Sequence, residues 1–211
     1  MRLFKFAPFS FVGFAFVAVA ADLLLKSAPG AFAFMGEIFT PLITCALLYA
    51  SAAADRRIKP SPRLLLLVFN AGGSAIAAIV GASLVGFAAQ EVAAWWIADA
   101  DPLVLESMTK LSVPAILGIY AIGVLAALPV TFVPMLVLFE RTSLREAFVA
   151  SAVAFAQNTL PLVAYGAASL VLLIFALLTA GIGLALAVPL WVASSYAAWK
   201  DVFGVRDAPG F

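Results

Sequence analysis

Glu37 opens the stretch GEIFTPLITC, residues 36–45, in which one carboxylate is followed by an almost unbroken apolar run. Charge is costly inside a bilayer, so an ionisable group at membrane depth is a functional suspect by default. Two readings follow. In the one adopted, residues 38–54 suffice to cross a slightly thin hydrocarbon core, and Glu37 sits at the outer rim near a helix N-terminus, where negative charge is favoured. Asp22 and Lys26, four apart, can pair on one helix face, and Lys26 can equally serve Glu37. In the alternative, Glu37 is an intramembrane ion or proton site. A pathway of that kind needs a second charged group deep in the bundle, and the sequence offers none.

The remaining polar residues suggest less chemistry. Asn70, Gln157 and Asn158 fall toward the cytoplasmic half of their segments. Amides there are expected to hydrogen-bond between helices, at about 1 kcal/mol each, with a ligand contact as the alternative. Glu140 and Arg141 end the fourth apolar segment and are expected to anchor it, with partner docking as a further role. Ser194 and Ser195 have no histidine to activate them, because the chain contains none. That absence also removes the commonest metal ligand and the usual general base near neutral pH. The stretch NAGGS, 70–74, lacks the lysine and preceding strand of a phosphate-binding loop. Cys45 is the single cysteine and reads as a small buried hydrophobe. No catalytic set, cofactor site or metal site is predicted.

These residues must be positioned by elements that live in lipid. Of 211 residues, 65% are hydrophobic and 11% charged, against roughly 25% charged in soluble domains. The net charge of +1 gives no reason to expect nucleic acid. A bilayer core takes about 20 apolar residues per helix, and six runs qualify: 4–25, 31–54, 64–89, 112–139, 161–179 and 182–199. The fold class is therefore all-α, a polytopic transmembrane bundle. With the N-terminus inside, ten basic residues (Arg2, Lys5, Arg56, Arg57, Lys59, Arg63, Arg141, Arg145, Lys200, Arg206) lie on the cytoplasmic side. Only Lys26 and Lys110 lie outside, which fits the positive-inside rule and puts both termini in the cytoplasm. The outer loop is read as 90–110, with Trp95 and Trp96 as interfacial anchors. Residues 1–22 also read as a signal peptide with Ala18-Val19-Ala20 as the cleavage site. Cleavage would leave five spans; the reading adopted is an uncleaved first helix.

The chain is read as one domain, 1–204, with a short cytoplasmic tail, 205–211. Pro129 and Pro134 predict a kink or strong tilt in the long fourth span. Ser143 and Glu146 have capping-box spacing. They predict an extra helix over 144–158, lying in or dipping into the interface, with a break at Pro161. Residues 179–183, TAGIG, allow only a tight turn, so the last two spans form a hairpin. Gly73, Ala77 and Gly81 repeat every four residues, with Ser74, Ala78, Ala82 and Gly86 alongside. That face suits internal packing or an oligomer interface. The second and fourth segments each contain proline and end in an acid followed by arginine, Asp55-Arg56 and Glu140-Arg141.

Residues 134–204 carry PMLVLFERTSLREAF, NTLPLVAYG and PLWVASSYAAWKDVFG. In this order they resemble a bacterial family of uncharacterised multi-spanning inner-membrane proteins, through Asn158, Pro161, Tyr165, Tyr196, Ala197, Asp201 and Phe203. The first half agrees only in span layout. The resemblance implies fold and a bacterial inner-membrane location, and no mechanism. The function expected is that of a non-catalytic accessory or assembly subunit that binds membrane lipids and a membrane-protein partner or a second copy. The alternative is a small transporter, channel or lipid-handling protein.

Overall fold

Proline and glycine, more than charge, divide this chain into helices. The computed structural model describes residues 2–27, 31–99, 111–179 and 181–207. A short α1, Arg2–Phe6, leads into α2, Pro8–Ser27, and α3, Ala31–Asp55. A one-turn α4, Leu64–Leu67, and a 3-10 turn, Val68–Asn70, precede α5, Gly73–Ala98. Then come α6, Val113–Ala127, a 3-10 turn at Leu128–Val130, and α7, Val133–Phe139. The chain closes with α8, Leu144–Gln157, α9, Thr159–Leu178, and α10, Leu184–Val202. No strand occurs among the described residues.

Five segments are long and apolar enough to cross a membrane: Pro8–Leu25, Phe34–Asp55, Gly73–Ala98, Val113–Phe139 and Thr159–Leu178. The last helix, α10, is 19 residues long and ends on Lys200, Asp201 and Val202. The third segment differs from the expected 64–89. Gly72, in extended conformation, stops the chain after the 3-10 turn, and a new helix starts at Gly73 and runs on to Ala98. Gln90, Glu91, Trp95 and Trp96 therefore belong to α5 rather than to a loop, and Asp99 closes it in the left-handed conformation. Asp101, Glu106 and Lys110 lie outside the described residues, as does the Lys26 side chain.

Two proline sites shape the interior. Pro41 stands inside α3. It has no N–H to offer the carbonyl four residues back, which is that of Glu37, and the Ser83 hydroxyl approaches that carbonyl at 3.4 Å. Pro129 and Pro134 split the fourth segment into α6 and α7. In a continuous helix the Phe132 amide would bond back to Leu128. Here it donates to Ser151 Oγ on α8 at 3.1 Å, and Ser151 is fully buried. The capping box is present, with the Ser143 amide donating to Glu146 at 3.1 Å and the Glu146 amide to Ser143 Oγ at 3.4 Å. From that start α8 turns Ala147, Ser151 and Ala154 onto the bundle. The break before α9 falls at Asn158, because the Pro161 ring collides with the carbonyl of Gln157.

The large core lies at the end where Asp55, Glu140 and Lys200 gather. Leu47, Tyr49, Met135, Leu136, Phe139, Tyr196 and Trp199 pack there. At the opposite end, α5 and α6 meet in a small cluster of Ala93, Ala94 and Ile119. They approach closely: a Cβ on Gly86 would lie 3.2 Å from Ala127 Cβ and 3.3 Å from the Gly123 carbonyl. Ala78, Ala82 and Gly86 are buried on this face, whereas Gly73 and Ala77 are exposed. Gly81 faces Phe148 of α8.

Candidate functional site

Two arrangements of polar side chains stand out, one at the C-terminal end of the fourth segment and one beside its middle, around Gly123–Thr131. The first ties the helix ends at the basic side together. Asp55, at the C-terminus of α3, accepts from Lys200 Nζ and from the Tyr196 hydroxyl at 3.3 Å. Glu140, capping α7, accepts from Trp199 Nε1 at 3.1 Å. One face of α10 thus engages both of the acids that end α3 and α7. The Phe139 ring meets Tyr49 and Tyr196 edge-on at 5.7 and 5.9 Å, and Trp199 at 5.4 Å. Arg57 and Arg141, next to these acids, hold left-handed backbone conformations. Arg57 places its guanidinium over the Phe6 ring at 5.8 Å. Both acids are engaged by α10 and the Tyr49, Phe139, Tyr196 and Trp199 rings are buried, so the arrangement fastens α3, α7 and α10 to one another.

The second is a cleft of about 230 Å³ between α3, α5, α6, α9 and α10. Glu37, Ser83, Gln90, Thr131, Tyr165 and Ser169 supply its polar groups, and Phe87, Val124, Leu128 and Trp191 much of its apolar wall. The register of α3 on α5 is set by Ser83 against Glu37 and by the edge-on Phe34–Phe87 pair at 6.3 Å. Glu37 therefore stands level with Ser83. From there to Trp95 is twelve residues of α5, about 18 Å along the axis, and from Glu37 to Asp55 is about 27 Å of α3. Trp95 and Trp96 are 66% and 80% exposed. Close to Glu37, Asp22 accepts from the Thr40 hydroxyl at 3.0 Å, which brings a second carboxylate to the α3 face one turn away.

Most hydroxyls in the cleft bond locally. Ser83 donates to Val80, Thr131 to Ala127 and Ser169 to Tyr165, at 2.8, 3.1 and 3.0 Å. The Tyr165 hydroxyl donates to the Trp191 carbonyl at 3.1 Å and shares a short hydrogen bond with Ser195. Gln90 differs. Its amide makes no hydrogen bond to another described residue, and its side chain fills the notch left by Gly123, where a Cβ would fall 2.3 Å from Gln90 Cγ and 2.5 Å from Nε2.

The other residues singled out by sequence are scattered. Asn70 and Gln157 are exposed. Asn158 Nδ2 donates to the Ala154 carbonyl at 3.0 Å, within its own helix rather than across to another. Asp201 is exposed, and Phe203 meets Phe132 edge-on at 5.6 Å. Sequence reasoning missed Gln90, Ser83, Thr131 and Ser169 as a group. A signal existed, since Ser83 and Gln90 are two helical turns apart on α5, as Tyr165 and Ser169 are one turn apart on α9. No group of three or more His, Cys, Asp or Glu able to hold a metal occurs among the described residues.

Fold and site together define an all-helical chain with five helices compatible with a multi-pass membrane protein, carrying a mixed polar and apolar cleft. No family model, curated protein or solved structure matches it.

Proposed function

We propose that this chain is a multi-pass protein of a bacterial inner membrane, akin to the family that residues 134–204 resemble, and that it binds a small solute in the cleft beside Glu37. In this reading α10 is a sixth crossing. The end bearing Arg56, Arg57, Arg141 and Lys200 faces the cytoplasm, as the positive-inside rule favours, and α8 dips from that surface toward the proline break. Trp95 and Trp96 take the outer interface. Glu37, about 18 Å along the helix from them, then belongs within the hydrocarbon rather than at its rim. One observation carries the reading: a carboxylate, an amide and a phenol converge on one cleft in a bundle whose outer faces are apolar. Among small-molecule sites, an apolar pocket with a few convergent polar groups is the usual design. Assembly with another membrane protein ranks second, favoured by the exposed small face at Gly73 and Ala77.

Thiol labelling in sealed vesicles tests the first reading. In a Cys45→Ala background, Ser169→Cys in the cleft is expected to react with a small, water-soluble thiol reagent. Val171→Cys, on the exposed face of the same helix, is expected to be shielded by lipid. Equal protection of both positions refutes a water-accessible cleft, and free labelling at Val171→Cys refutes the membrane reading itself.

A further inference from the structure

The basic end of the bundle has two corners, and they differ in what neutralises them. Arg141 and Arg145 share a short stretch of sequence with Glu140 and Glu146. The other corner holds Lys5, Arg57, Lys59 and Arg63, all exposed. No acid occurs in residues 1–21 or 56–90. Asp55, just before that second stretch, is taken up by Lys200 and Tyr196. Among the described residues, none of the four cations forms an ion pair. We infer that this corner seats the headgroup of an anionic phospholipid, whose acyl chains run down the apolar side chains beside it. The inference rests on the multi-pass reading above and is independent of the cleft.

Local structure fixes the corner as a shelf. α3 ends where the Ile58 amide donates back to the Ala53 carbonyl at 2.9 Å and Arg57 turns left-handed. Glycine is the usual residue at such a helix end. The arginine that stands here instead lays its guanidinium over the Phe6 ring, 5.8 Å from the centroid. Three residues on, Pro60 is buried, and its carbonyl accepts from the Ser10 hydroxyl at 3.4 Å. The loop therefore follows the chain from Phe6 to Ser10, and Pro60 and Pro62 restrict its backbone. α1 turns Leu3, Phe4 and Phe6 toward the core and leaves Lys5 outside. The four cations are thus carried by backbone that is already anchored.

The neighbours of the shelf favour a lipid over a soluble polyanion. Phe9, next to Ser10, is 91% exposed, and Leu66, one helical turn after Arg63, is 65% exposed. Ile58, between Arg57 and Lys59, is exposed as well. Cations flanked by uncovered apolar side chains match the boundary at which headgroups meet hydrocarbon. Each lysine or arginine near an anionic lipid surface is worth about fivefold in occupancy.

Native mass spectrometry tests the seat. The full chain is released from nanodiscs containing equal amounts of phosphatidylglycerol and phosphatidylcholine with matched acyl chains, and the lipids it retains are counted. Phosphatidylglycerol is expected to be retained over phosphatidylcholine. Lys59→Gln combined with Arg63→Gln is expected to lower that preference by about tenfold or more. Arg141→Gln combined with Arg145→Gln, at the corner that carries its own acids, is expected to leave it nearly unchanged. If the first pair does not accumulate, Lys59→Gln alone serves, with a fall of about fivefold expected. Equal retention of the two lipids by the wild-type chain, or an equal fall in both pairs of variants, overturns the headgroup seat and leaves the multi-pass reading standing. Capture of soluble poly-glutamate by the chain in phosphatidylcholine nanodiscs, with no preference between lipids, makes the corner a protein-docking face and overturns the seat likewise. A chain that stays dissolved without lipid or detergent overturns both.

Discussion

The two polar arrangements use the same residue types to opposite ends. At the basic end, Asp55 and Glu140 each take hydrogen bonds from α10, and the aromatic rings around them are sealed. In the cleft, Glu37, Gln90 and Tyr165 line a space of about 230 Å³ between the helices. The difference lies in the neighbours. Large side chains such as Trp199, Tyr196, Phe139 and Met135 fill the first site. Glycine, alanine and serine, at Gly86, Gly123, Ala82 and Ser83, surround the second. In lipid, helices gain little from the hydrophobic effect on meeting each other, so packing and interhelical hydrogen bonds hold them together. A chain that concentrates both at one end can leave the other underfilled without losing its fold.

The largest test of this contrast is Trp199→Ala. Trp199 is fully buried, stacks near Phe139 and Tyr196, and donates to Glu140. Its loss is expected to cost about 3–5 kcal/mol, seen as a large fall in the unfolding midpoint in nanodiscs. Trp199→Phe keeps most of the packing and loses the Glu140 bond, so a clearly smaller fall is expected. A Trp199→Ala protein as stable as wild type would show that the basic end does not hold the bundle together.

A smaller effect is expected in the cleft. A Cβ on Gly123 lands on the Gln90 side chain, so Gly123→Ala is expected to destabilise by about 1–3 kcal/mol through overpacking. Gln90→Ala removes the obstacle, and in that background Gly123→Ala should be near neutral. The coupling from the double-mutant cycle is the measurement. An undiminished cost in the Gln90→Ala background means that the amide does not occupy the Gly123 notch.

How far these features could be read beforehand follows from what each depends on. Helix positions and the capped start of α8 rest on local chemistry: apolar runs, Ser143–Glu146 spacing and the prolines at 129 and 134. The expected third segment, 64–89, differs from α5 because Leu64–Leu67 continues the apolar pattern, while the stop is a backbone event at Gly72. The acids at 55 and 140 were visible as a repeated pattern, but their shared partner, α10, lies at a sequence separation that no local signal spans. The cleft is harder still. Its six polar residues come from α3, α5, α9 and the Thr131 joint, and each alone looks like an isolated polar residue in an apolar helix. Only the register of α3 on α5 brings Glu37 into line with Ser83 and Gln90.

The smallest expected effect tests whether the two regions are mechanically separate. Ser151 of α8 takes up the Phe132 amide between them, and α8 begins at the exposed capping box. The Ser143 hydroxyl, and then its amide, hold the Glu146 carboxyl below its ordinary value. A carboxylate whose pKa is lowered by folding contributes stability that is present above its unfolded pKa and is lost as pH falls through the folded one. Hydrogen-exchange protection in the first turn of α8 is therefore expected to be constant near neutrality and to fall in acid, below the ordinary carboxylate range. Ser143→Ala should lower protection at neutral pH and flatten the acid response. If fraying stays within that turn, the Phe132 amide keeps its protection and the fastened end and the cleft are independent. Loss of Phe132 protection in step with the first turn would instead make α8 a lever between them, and ligand binding in the cleft would then depend on acid at a carboxylate that does not line it.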